Sequence, residues 1–151
     1  RAGAARLYLE QGRALQAAGR PDDALRVFED GLKLAHDIDD RAAGAPLLLA
    51  IAGANRELHS YRLATDNAER AARLFRALGD DRGLGECELV CGRALADEGD
   101  AEGARARFEQ ALRLFAHSDS RQLIEATNAL MAALPRSETG VIRVDGEAPS
   151  G

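Results

Sequence analysis

Small and apolar residues recur along this chain at two spacings, one helical and one much longer. From Leu9 they fall at Gly12 and Leu15–Gln16, until Gly19-Arg20-Pro21-Asp22 breaks the stripe, and a second stripe follows through Ala24, Phe28, Gly31, Leu32 and Ala35. Steps of three and four residues mark one face of a helix. Two such stripes around a Gly-Pro break predict a helical hairpin, with Pro21 in the first turn of the second helix, where a missing N–H does no harm. Displacing the sequence by 40 residues without gaps lays the pattern on itself: Leu9, Leu49 and Leu89 coincide, as do Gly12, Ala52 and Gly92; Ala24, Ala64 and Ala104; Gly31, Ala71 and Ala111; and Leu34, Leu74 and Leu114. A fixed period of this kind is the signature of a repeat architecture. It predicts an all-α fold of three helical hairpins, over residues 5–44, 45–84 and 85–119. A last helical stripe, Leu123, Ala126, Leu130, Ala133 and Leu134, predicts a helix over 120–134 that caps the third hairpin and stops at Pro135.

The small residues carry the packing expectation, because Gly or Ala where helices cross lets backbones approach and leaves room for the Phe of a neighbouring hairpin. Phe28 and Phe108 are therefore expected to be buried. The middle hairpin replaces the Gly12 and Phe28 positions with Ala52 and Ala68, and Pro46 either starts its first helix near Gly44 or kinks it, so this hairpin is expected to be the weakest. Residues 135–151 read as a polar tail or linker, or the start of another domain, with a strand-like run at Val141–Val144.

Composition narrows the function classes. At 151 residues the chain has room for one domain or one short array, and no apolar run is long enough to cross a bilayer. The net charge of −5 excludes the positive field that non-specific nucleic-acid binding requires. Only Lys33 among the 20 basic residues is not Arg, which reads as a compositional habit and not as a nucleic-acid signal. Cys87 and Cys91, four residues apart, suit neither a disulfide nor a zinc site and read as small core residues in a reducing, cytoplasmic compartment. The start Arg-Ala-Gly-Ala-Ala shows no signal-peptide pattern and suggests a piece of a longer protein.

No catalytic arrangement emerges. His36 and His117 sit where second helices should end and suit the negative helix terminus, while His59 lies in a turn without an assignable partner. The run Asp97-Glu98-Gly99-Asp100-Ala101-Glu102 lacks the ligand spacing of a calcium loop, and Gly83-Leu84-Gly85 is too short for a phosphate loop. Arg62, Arg70, Arg73 and Arg76 have Asp66 and Glu69 at pairing distance, which predicts a salt-bridged outer face. These readings predict a non-enzymatic protein without cofactor or metal, whose function lies in its surface.

The residues resemble the tetratricopeptide repeat family: Tyr8-x-x-Gln11-Gly12-x-x-Leu15 with Ala24-x-x-x-Phe28, and Cys91-Gly92-x-x-Leu95 with Ala104-x-x-x-Phe108. The family's closing Pro is replaced by His36, Arg76 and Ala116, which suits the longer period, and arrays of that length are similar to those of kinesin light chain, Leu-Gly-Asn repeat adaptors and bacterial regulators of the MalT type. The resemblance implies a right-handed superhelical α-solenoid whose first helices line a concave groove for a protein or peptide partner. Carried over residue by residue, that groove has Leu9, Leu49 and Leu89 on its floor, unless these leucines serve contacts between helices, with Arg13, Gln16, Asn55, Arg56 and Arg93 among the flanking candidates. Arg13, Arg56 and Arg93 suggest recognition of carboxylate or phosphate, although Glu10, Glu57 and Asp97 stand close enough to neutralise them. The implied function is a peptide-binding scaffold or sensor segment of a larger regulator acting in signalling, with no nucleic-acid or membrane partner. Self-association into a homo-oligomer, or service as the regulatory segment of a multidomain enzyme, are the alternatives.

Overall fold

The computed structural model describes residues 3–136, which form an all-α fold without strands. Its helices are α1 (Ala4–Ala17), α2 (Pro21–Asp37), α3 (Arg41–Glu57), α4 (Tyr61–Leu78), α5 (Asp81–Asp97), α6 (Ala101–His117) and α7 (Arg121–Ala132). The tail beyond residue 136, including Val141–Val144, lies outside the described residues. Each helix packs on the next in sequence, and α3 also touches both α1 and α5.

The connections repeat at half the sequence period. A residue of positive φ occurs every 20 residues, at Gly19, Asp39, His59, Gly79, Gly99 and Asp119. At each, the following N–H returns to a carbonyl five residues earlier, from Arg20 N to Leu15 O at 2.9 Å through Asp80 N to Phe75 O at 2.9 Å and Ser120 N to Phe115 O at 3.2 Å. This bond closes the helix C-terminus in a Schellman geometry. Asp, Asn and His tolerate the left-handed region better than other non-glycine residues, which is why Asp39, His59 and Asp119 can stand where Gly19, Gly79 and Gly99 do. The next residue starts the following helix: Asp40, Asp80 and Asp100 each accept a bond from the backbone N–H three residues on, at 3.1, 2.8 and 2.9 Å.

These caps move the expected boundaries. The second and third pairs of helices begin at Arg41 and Asp81, not at 45 and 85, because Asp40 and Asp80 are the caps. Pro46 neither starts α3 near Gly44 nor ends it, but lies inside the helix. The carbonyl it deprives of a donor belongs to exposed Ala42, where water can satisfy it.

Phe28 and Phe108 are buried, as their positions required. Each ring lies on a glycine of its own helix pair: a Cβ added to Gly92 would stand 2.5 Å from Phe108 Cε1, and one added to Gly12 would collide with Phe28. Contact from one pair to the next comes instead from Phe75, which packs on Gly83. The middle pair uses Ala52 and Ala68, both fully buried, in place of glycine and ring. Within that pair α3 carries more buried residues than any other described helix, because α1, α2, α4 and α5 all pack on it. By contrast, α7 has Thr127 as its one buried residue and packs on α6.

The outer face of α4 departs from its expected pairing. Glu69 bonds to Arg107 at 3.3 Å, and neither it nor Asp66 forms an ion pair with Arg62, Arg70, Arg73 or Arg76; Arg70 donates to Asn67 Oδ1 at 3.1 Å. Asp66 and Glu69 stand one turn from these arginines, but exposed pairs of that kind are weakly held. Cys87 and Cys91 are buried free thiols, and burial pushes the Cys91 thiol up to about 11 and Cys87 higher still.

Candidate functional site

The face shared by α1, α3 and α5 brings most of the candidate residues together. Two side-chain bonds tie these helices at an offset of 41 residues, one more than the sequence period: Gln16 Nε2 donates to Glu57 Oε1 at 3.0 Å, and Arg56 Nη1 to Asp97 Oδ2 at 2.8 Å. Each runs from the last turn of one first helix to the end of the next. Arg56 is only 17% exposed at its side chain, so its guanidinium is already engaged, as the nearby carboxylates had suggested.

Between the flanking helices, α3 presents Pro46, Ala50 and Gly53, all half-buried and none with a long side chain. A Cβ on Gly53 would meet nothing closer than Gln16 Nε2 at 3.9 Å, so the surface over it is open. Arg13 and Arg93 occupy the places equivalent to Gly53 on α1 and α5. Both are exposed, and neither makes an ion pair among the described residues. Arg13 borders a cleft of about 430 Å³ between α1 and the start of α3. Arg93 borders one of about 240 Å³ closed by Leu130 and Leu134.

The electrostatics of this face are unbalanced at its arginines. Partial burial lowers the Arg93 pKa, and the Arg56 charge lowers it further, while Asp97 and Glu57 act in the opposite sense. Glu86, on the α5 side, has its carboxyl pKa raised, chiefly by burial; Arg82, 3.6 Å away, and Arg13 pull it back, and Asp80 adds to the rise.

Three candidates are buried. Leu9 and Leu49 serve contacts between helices, the alternative to a groove floor, although an edge of Leu9 still lines the cleft beside Arg13, and Leu89 is half-exposed. Asn55 is buried between α3 and α4, where its Oδ1 accepts from Asn67 Nδ2 at 2.9 Å. His59, which had no assignable partner, meets Tyr61 OH at 2.7 Å through Nδ1. Glu57 and Asp97 act as inter-helix acceptors, a role legible in sequence only as complementary residues one step beyond the period. Among the described residues no His, Cys, Asp or Glu cluster has metal-binding geometry, and no helix is long and apolar enough to cross a membrane. No protein-family model matches this chain, and no curated protein matches it.

Proposed function

We propose that α1 to α6 form a right-handed superhelical array of three tetratricopeptide-type hairpins capped by α7, and that the α1–α3–α5 face is its concave groove. In this reading the groove holds an acidic protein or peptide segment, and the chain is the non-enzymatic sensor or scaffold segment of a larger regulatory protein. The observation that carries the reading is the pair Arg13 and Arg93. They stand at the same place on two first helices, flank a floor of small residues, and have no carboxylate in ion-pair contact among the described residues. A long side chain at Gly53 would block the approach that its absence leaves open. The two rungs, Gln16–Glu57 and Arg56–Asp97, hold the first helices in fixed register, so the arginines are positioned before a partner arrives.

Fluorescence anisotropy with a labelled phosphoserine-containing acidic peptide, and with its lysine-substituted counterpart, tests the reading. The acidic peptide is expected to bind and to weaken with added salt, whereas the basic one is not. Arg13→Ala and Arg93→Ala should each weaken binding by about 1.5–3 kcal/mol per charge-assisted bond lost while leaving the thermal midpoint nearly unchanged. Equal binding of both peptides, or an affinity indifferent to both substitutions, would remove it.

A further inference from the structure

The side of the molecule formed by α2 and α4 holds a cleft of about 640 Å³, floored by α3. Its apolar wall is Leu32, Leu48 and Leu74, and its base is formed by Ala35 and Gly44. The base explains why it is open. At the positions 40 and 80 residues later, Ala35 becomes Phe75 and Phe115, and Gly44 becomes Leu84 and Ile124. Phe75 and Phe115 are buried, each pressed against a glycine, Gly83 and Gly85. At Gly44 there is room for a side chain: an added Cβ would meet only Leu74 Cδ1 at 3.9 Å and Leu32 Cδ1 at 4.0 Å.

The matching cleft between α4 and α6 is about 240 Å³, and its floor position Leu48 is replaced by Glu88, which Arg107 bridges at 3.0 Å while also reaching Glu69 at 3.3 Å. One junction is therefore closed by rings and ion pairs, and the other is left open and apolar. The open cleft also has cations at its rim. Among the described residues Lys33 and Arg70 have no carboxylate in ion-pair contact, Arg70 donating to neutral Asn67. The rim also carries Arg41 and three carboxylates: Asp39 lies 3.9 Å from Arg41, Asp40 accepts the Ala43 N–H as the cap of α3, and Glu29 stands one turn before Lys33.

We propose that this cleft is a binding site for a small amphipathic anion, an aliphatic or aromatic carboxylate whose body lies on Leu32, Leu48 and Leu74 and whose acid group meets Lys33 and Arg70. Its volume is in the ~300–1,000 Å³ range of small-molecule sites, and an apolar wall with few charged groups at the mouth is their usual make-up. A charge-assisted bond from Lys33 or Arg70 orients the ligand, since a neutral body of the same shape has nothing to fix its direction. The site stands apart from the α1–α3–α5 face, so it survives or fails independently of the groove reading.

Decanoate titrated into the full chain, with leucine methyl resonances observed by NMR, provides the test. Decan-1-ol and decyltrimethylammonium serve as neutral and cationic counterparts. Decanoate is expected to move the Leu32, Leu48 and Leu74 methyls and to bind at least tenfold more tightly than the cation. Gly44→Leu, which fills the cleft with a better helix former, should keep the fold by circular dichroism and weaken decanoate at least tenfold; Lys33→Glu should weaken it several-fold. Unchanged affinity in Gly44→Leu, equal binding of the cation, or shifts confined to the α1–α3–α5 face would overturn the assignment. So would binding of an acidic leucine-bearing peptide to this cleft with no response to decanoate.

Discussion

The ring-on-glycine contact between Phe108 and Gly92 makes a quantitative demand on stability. Phe108 is 1% exposed, so Phe108→Ala removes a large core side chain and is expected to cost about 3–5 kcal/mol. Gly92→Ala places a methyl carbon 2.5 Å from Phe108 Cε1, well inside contact distance, so overpacking of about 1–3 kcal/mol opposes the gain of about 1 kcal/mol from replacing a helical glycine. Once the ring is gone the clash goes with it, and the methyl both recovers the helix gain and fills part of the hole. The double variant Gly92→Ala/Phe108→Ala is then expected to be more stable than the sum of the single effects by about 1–3 kcal/mol. That arrangement already exists in this chain as Ala52 with Ala68, both fully buried. Urea titration followed by far-ultraviolet circular dichroism measures the cycle, provided the m-value is constant across the set. Additivity within about 0.5 kcal/mol, or a Gly92→Ala single variant stabilised by the full helix gain, would refute the packing argument.

Two other outcomes follow from burial. Amides of residues 47–55 in α3 are expected to exchange more slowly with deuterium than those of residues 123–131 in α7, since end elements covered on one side open first; the reverse order would contradict the packing. Burial raises the Glu86 pKa, so folding favours its protonated form, and that contribution is full below the unfolded-state value and lost as pH rises through the folded-state one. Glu86→Gln should therefore be more stable than the parent at neutral pH and lose the advantage as pH falls to ~4, the ordinary glutamate range; a variant less stable at neutral pH would show that the Arg82 and Arg13 contacts outweigh burial.

The helices and the burial of Phe28 and Phe108 were legible because helical spacing and the 40-residue offset act on many positions at once. The boundary of α3 was not, because Pro46 is a strong local signal for a helix start while the Asp40 cap is a single side chain, and only the solvent exposure of Ala42 makes an internal proline tolerable. Comparison at 40 residues also hid the half-period: it sets His59 with Gly19 and Gly99, and Gly79 with Asp39 and Asp119, but it does not relate these two columns, whose six residues share one left-handed backbone. At the candidate site, periodicity told which residues share a face and not what covers that face. Leu9 and Leu49 are covered by adjoining helices, a matter of how closely α1, α3 and α5 approach. Asn55 finds its partner on α4 at a position where the other pairs have Leu15 and Leu95, so no repeat pattern announces it.

The most direct test of the groove reading is backbone amide NMR of the whole chain during addition of a phosphoserine-containing acidic peptide. Shifts are expected at residues 13, 50, 53 and 93 together, saturating at one concentration and fading as salt is raised. Shifts confined to the outer face of α4, which carries Arg62, Arg73 and Arg76, or a uniform response spread over all exposed arginines, would contradict it.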